Sequence, residues 1–219
     1  MVLITSKELP GLPADLFIGT KNCGRHAEES ILQLNDQEQE RVRLMKGEQS
    51  RNQFISSRML LRGMMEQLGY EKGSWKLRHH DNGQPWIELL GDSAVNQLYV
   101  GIAHTRSRVL VGVSKERALG VDLEKMGRTV PEQLKKRILS VENDYFEKTL
   151  NVLKLWTIKE AILKLSGEGL RLGMNRVTIT GSAGSSFTGY FKNRLQEIMP
   201  FSVTCSEVKK HWIAVATYA

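Results

Sequence analysis

Two short stretches carry residues able to do chemistry, "GVDLEK" at 120–125 and "WTIKEAILKLSGEGL" at 156–170. In the first, Val121 and Leu123 alternate with Asp122 and Glu124, so an extended chain sends both acids to one face and both hydrophobes to the other. Carboxylates that close repel and raise each other's pKa unless a cation or a basic cluster compensates them, and a bound metal is one candidate. In the second stretch Leu155, Ile158, Ile162 and Leu165 form a helical stripe, which leaves Lys159, Glu160 and Lys164 elsewhere on the helix. Taken alone, Glu160 and Lys164 also read as an exposed i,i+4 ion pair worth a few tenths of a kcal/mol. The strand acids read equally as the polar side of a half-buried strand.

Several elements must position these groups. Phe54, Leu61, Met65 and Leu68 recur at helical spacing, and Gly69 follows as a C-cap, so one helix is expected from about Asp36 to Leu68. "HDNGQPWIEL" places a turn at Asn82-Gly83 and an extended start at Pro85. "LYVGIAH", "RVLVGVS" and "LGVDLE" are β-rich runs separated by polar turns and predict an antiparallel meander. Thr129, Pro131 and Glu132 signal a helix start, and another helix runs from about Val152 to Leu165 until "SGEG" stops it. The tail, "RVTITG", "SSFTGYFK", "FSVTCSEV" and "HWIAVATYA", reads as strand and turn. Each half thus holds a long helix and several strands, an α+β architecture of two lobes meeting near Lys115–Arg117.

Composition bounds what these elements serve. The chain has 219 residues, 41% hydrophobic and 25% charged, enough to bury a core. Cys23 and Cys205 lie far apart without CxxC or Cys/His spacing, which argues against a disulfide framework or a zinc site and for a reducing compartment. No apolar run approaches the roughly 18–20 residues of a membrane span, and the start "MVLITSKELPGLPADLF" lacks the pattern of a secretory signal, so a cytoplasmic protein is expected. A net charge of +7 favours anionic partners. No helix-turn-helix, zinc-finger or RNP-like pattern accompanies it, so neither nucleic acid nor membrane is an expected partner.

The combination of a Gly-Val-Asp-Leu-Glu strand and a Trp-x-x-Lys-Glu-Ala-x-x-Lys helix resembles the 4′-phosphopantetheinyl transferases of the larger, surfactin-synthetase-activating type. "NGQPWIEL" is similar to that family's Gly-Lys-Pro turn, and "IAHTRSRV" to its Ser-His-Ser strand end. The resemblance runs from about Arg51 to Leu170. It implies two pseudo-symmetric α/β lobes with coenzyme A in the cleft between them. Residues 1–116 would then form an N-terminal lobe that contacts the coenzyme A phosphates, and residues 117–219 a C-terminal lobe with the metal site and catalytic helix. The implied reaction is Mg²⁺-dependent transfer of the 4′-phosphopantetheine arm to a serine of an acyl or peptidyl carrier protein, with release of adenosine 3′,5′-bisphosphate. Phosphoryl transfer from a pyrophosphate needs clamped phosphates, neutralised charge and an aligned nucleophile, and Mg²⁺ prefers oxygen ligands.

The resemblance also implies roles. Asp122, Glu124 and Glu160 would hold Mg²⁺, Glu160 would accept the serine proton, and Lys164 would face the pyrophosphate. His104 would contact a coenzyme A phosphate with Thr105 beside it, Gln84 and Pro85 would form the turn against coenzyme A, and Arg51 and Arg58 would take the 3′-phosphate. Gln84 stands where the family has lysine and Ala103 where it has serine, so one phosphate contact loses its charge. Two lobes in one chain imply a monomer. A Mg²⁺-dependent phosphohydrolase or nuclease with the same acids, and a basic binding module without catalysis, are the alternatives from other classes.

Overall fold

β-Branched and aromatic runs build two antiparallel sheets, each crossed by one long helix, in a computed structural model that describes residues 1–26, 28–91, 96–139 and 147–219. The first sheet comprises β1 (Val2–Ile4), β2 (Leu16–Asn22), β3 (Trp75–His79), β4 (Pro85–Leu89), β5 (Gln97–His104) and β6 (Arg108–Ser114), in the order β1-β2-β6-β5-β4-β3. The second comprises β7 (Leu119–Lys125), β8 (Val177–Ala183), β9 (Ser186–Lys192), β10 (Ile198–Val208) and β11 (His211–Tyr218), in the order β7-β11-β10-β9-β8. Among the described helices, α1 (Glu28–Leu32), α2 (Asp36–Leu44) and α3 (Glu48–Gln67) precede β3, whereas α4 (Glu132–Ile138) and α5 (Val152–Leu165) follow β7. Helix α3 packs on β2 and β6, and α5 on β7, β10 and β11. The fold is α+β with two lobes.

Each lobe has its own core, and a third core joins them. Leu60, Met64 and Met65 of α3 pack over Ile87, Val100 and Val111 in the first lobe, and Ile158 and Ile162 of α5 pack over Phe191, Phe201 and Ala214 in the second. Between the sheets, Leu16, Ile18 and Leu110 meet Val121, Leu123, Ile213 and Val215. Glycine lets the sheets approach: a Cβ on Gly112 would stand 2.5 Å from Leu119 Cδ1 and 3.0 Å from Val121 Cγ1. Strand β7 is therefore buried on both faces rather than half exposed.

Two expectations change. The single helix expected over 36–68 is two, broken between Leu44 and Glu48, where Met45 and Gly47 are extended. Asn35 and Glu38 form a capping box on α2, and the Arg51 guanidinium donates to the Met45 carbonyl at 2.8 Å, fixing the break. The predicted meander also splits. "LYVGIAH" and "RVLVGVS" pair as β5 and β6, with Val100 opposite Val113, but "LGVDLE" pairs with β11 in the other sheet. Strand β6 has no free edge, because β2 takes its other side, and β2 lies in the N-terminal stretch from which no strand was read.

The β10–β11 turn is unusual. Lys209 and Lys210 form its two residues, between the paired Val208 and His211, and both are left-handed, with φ of 50° and 61°. This conformation normally selects Asn and Gly and costs an ordinary side chain about 1–2 kcal/mol per residue. Among the described residues no helix is long and apolar enough to cross a membrane. Cys23 is partly buried and Cys205 buried, and both are free.

Candidate active site

The acids are brought together because β7 and α5 touch backbone to backbone. A Cβ on Gly120 would lie 2.0 Å from the Ala161 carbonyl oxygen and 2.4 Å from the Leu165 nitrogen, so only glycine permits this approach. Asp122 lies opposite Ala214 and Glu124 opposite Trp212, and Ala214 packs into the core beneath α5. The acid face of the strand thus turns toward the helix that carries Glu160 and Lys164. Gly120→Ala is expected to lower stability by about 1–3 kcal/mol as the helix is pushed off the strand, read as a lower denaturant midpoint with unchanged m-value.

Electrostatics couples the four groups. Asp122 is 7% exposed. Its Oδ1 accepts from Lys164 Nζ at 2.6 Å, and its Oδ2 is buried with no hydrogen-bond partner. Burial pushes the Asp122 carboxyl up to about 7, against the pull of Lys164, and the charges of Glu160 and Glu124 push the same way. Glu160 is also raised, first by burial, with Lys164 opposing and Glu124 adding to the rise. Glu124 pairs with Arg128 at 2.5 Å. Among the described residues no three His, Cys, Asp or Glu side chains converge into a metal-ligand set. Lys164 lies against Asp122 and Arg128 against Glu124, so protein cations compensate the acids. The orphaned Asp122 Oδ2, within the field of two further carboxylates, fits a hard divalent cation.

Lys159, left off the buried stripe in the sequence reading, is fully buried. Its Nζ lies 2.8 Å from Glu147 Oε2 and donates to the carbonyls of Ile138 at 2.7 Å, Val177 at 2.8 Å and Met174 at 3.2 Å. Four acceptors from three segments therefore converge on the residue beside Glu160. A signal was present: Leu155 and Leu163 stand four residues to either side, so Lys159 falls within an apolar helical row.

In the N-terminal lobe His104 ends β5, and burial first, then the positive charge of Lys164, lowers its pKa. The Thr105 carbonyl accepts from Gln53 of α3 at 2.8 Å, a support the sequence did not reveal. Gln84 Nε2 donates to the Lys164 carbonyl at 3.3 Å, bridging the lobes where the family pattern has a charge, and Pro85 opens β4 beside it. Gln84, Pro85 and Ile102 of one lobe and Lys164, Glu168 and Arg171 of the other line a cavity of 470 Å³, within the range of small-molecule sites. Arg51 and Arg58 do not line it. Arg58 is 6% exposed, lies 3.1 Å from Glu38 and stacks on Phe54 at 4.5 Å. Burial pulls its pKa down to about 10, and Arg62 shares the same glutamate. Arg51 instead braces the α2–α3 break.

Residues 118–216 match the 4′-phosphopantetheinyl transferase superfamily. The chain is 31% identical over 132 residues to the 4′-phosphopantetheinyl transferase HetI of Nostoc sp., an alignment covering 55% of this chain and 54% of that protein. It is 28% identical over 155 residues to the Synechocystis sp. protein slr0495, named for the same transferase class, covering 66% of this chain and 61% of that protein. The chain thus spans little more than half the length of the curated relatives it matches.

Proposed function

We propose that the chain, whose residues 118–216 match the 4′-phosphopantetheinyl transferase superfamily, transfers the 4′-phosphopantetheine arm of coenzyme A to a serine of a carrier protein. The observation that carries this reading is the buried Asp122, unpartnered on one oxygen, within the field of Glu160, and held on the other oxygen by Lys164, which itself lines a cavity formed by both lobes. The serine oxygen attacks the phosphorus that bears the pantetheine arm, and the bond to the bridging pyrophosphate oxygen breaks. Adenosine 3′,5′-bisphosphate leaves. Glu160, its pKa raised by burial, is suited to accept the serine proton. Lys164 is suited to meet the negative charge on the departing phosphate, since its ammonium already serves the same cleft. His104, kept neutral by burial and by Lys164, can donate one hydrogen bond to a phosphate oxygen.

Asp122, Glu124 and Glu160 would hold Mg²⁺, which when bound neutralises charge on the pyrophosphate oxygens. Residues 1–116 would supply the coenzyme A contacts and residues 117–219 the acids and the catalytic helix. Incubating the chain with coenzyme A, Mg²⁺ and an apo carrier protein tests the proposal. Mass spectrometry should show one phosphopantetheine added per carrier, and an unmodified carrier with coenzyme A intact would overturn it.

Lys164 separates the surface-pair reading of its helix from the catalytic one. A surface pair with Glu160 predicts that Lys164→Met shifts stability by no more than about 0.5 kcal/mol. The pairing seen instead is with buried Asp122, whose carboxylate would lose its main stabilising charge. Lys164→Met is therefore expected to lower kcat roughly a hundredfold and to raise the apparent pKa of Asp122, followed by NMR of the side-chain carboxyl. Unchanged kcat would return Lys164 to a structural role.

A further inference from the structure

We infer that the Lys209–Lys210 turn is a rigid docking post for an acidic face of the carrier protein. This rests on the transferase reading and adds the surface on which the acceptor is delivered. Both lysines are exposed and left-handed, a conformation lysine does not favour, and the surroundings hold them in it. The Met126 N–H donates to the Lys210 carbonyl at 3.0 Å, and His211 Nδ1 donates to the Lys209 carbonyl at 2.9 Å. Strain kept in place by bonds on both carbonyls points to a role for the side chains it displays.

The position fits delivery of a serine. Lys125 lies opposite His211 on β7, next to Glu124, so the turn continues the strand end that carries two of the acids. Lys125 and Arg128 are exposed there as well, giving four cations at the rim. Arg128 is engaged by Glu124, whereas among the described residues no carboxylate pairs with Lys125, Lys209 or Lys210. Glu207, across from Trp212, is the one acid of strand β10. A partner that places a hydroxyl beside Glu160 must cover this rim. The unpaired lysines select an acidic face, which suits the net charge of +7. A carrier protein is favoured over nucleic acid because the rim borders the proposed reaction site rather than an extended basic groove.

The double variant Lys209→Asn/Lys210→Gly provides the test, because it installs the pair that this turn geometry prefers and removes both charges. Thermal stability should rise by about 3 °C or more. The KM for an acidic apo acyl carrier protein should rise about tenfold at low salt, with a weaker salt dependence than wild type and an unchanged KM for coenzyme A. A direct arm measures fluorescence anisotropy of labelled carrier protein with wild type and variant in the absence of coenzyme A, where the same loss of affinity is expected. Carrier affinity equal to wild type would overturn the inference. So would a loss confined to coenzyme A or to duplex DNA, each tested as a separate probe. Because the anisotropy arm needs no turnover, a wild-type chain that binds carrier through this turn yet transfers nothing would unseat the transferase reading alone.

Discussion

Asp122→Asn is expected to lower transfer by about a thousandfold while making the metal-free chain more stable at pH 8. Asp122 titrates at about 7 in the fold, against a reference value of 3.8. Between those values the native chain holds a proton that the unfolded chain has released, so stability falls as pH rises from about 4 to 7. Above 7 the full cost is present, on the order of 4 kcal/mol before relaxation. Asn carries no charge at any of these pH values, so its melting temperature should lack this slope. Lys164, with about a third of its side chain exposed, can rehydrate when its partner is lost. Mg²⁺ at pH 8 without coenzyme A should raise the melting temperature of the wild type and leave that of the variant unmoved. A variant less stable than wild type at pH 8 would contradict a burial cost at Asp122, and one with near-normal transfer would remove Asp122 from the site.

How much of this was legible in the sequence depends on whether the signal was local. Helix α5 was expected over 152–165, which are its observed bounds, because its apolar stripe and the "SGEG" stop are contiguous. The alternation in "GVDLE" likewise placed both acids on one face. What failed was partner choice. Strand β7 pairs with β11 far along the chain, and β6 is closed off by β2, so neighbouring runs in sequence did not become neighbouring strands. The Asp36–Leu68 periodicity concealed a break set by Gly47 and a single guanidinium contact. The resemblance implies Arg51 and Arg58 at the 3′-phosphate, and a sequence does not show that Glu38 reaches Arg58 or that Met45 offers Arg51 a carbonyl. Gly120 stood in the motif from the start, but its reason, contact with the backbone of α5, is a distance between elements.

Lys159 carries the second large effect. Lys159→Met removes the ammonium that pairs with the buried Glu147 carboxylate, and one-sided loss of a buried pair costs about 3–5 kcal/mol. Calorimetry should show a correspondingly large fall in melting temperature. Adding Glu147→Gln removes the carboxylate charge while keeping an acceptor for the Ile179 N–H, so the double variant should regain at least half of the lost stability. Activity should not follow. Without the ammonium, the carbonyls of Ile138, Met174 and Val177 are no longer gathered around α5, and Glu160, the next residue on that helix, loses the anchor that fixes its turn. We expect the double variant to keep its KM for coenzyme A and to lose about tenfold in kcat, since small displacements of a reacting group are enough for such losses. A double variant that regains both stability and kcat would make Lys159 a packing residue alone. A single variant as stable as wild type would mean that the buried pair does not hold the helix, and the positioning of Glu160 would then have to come from the Gly120 contact.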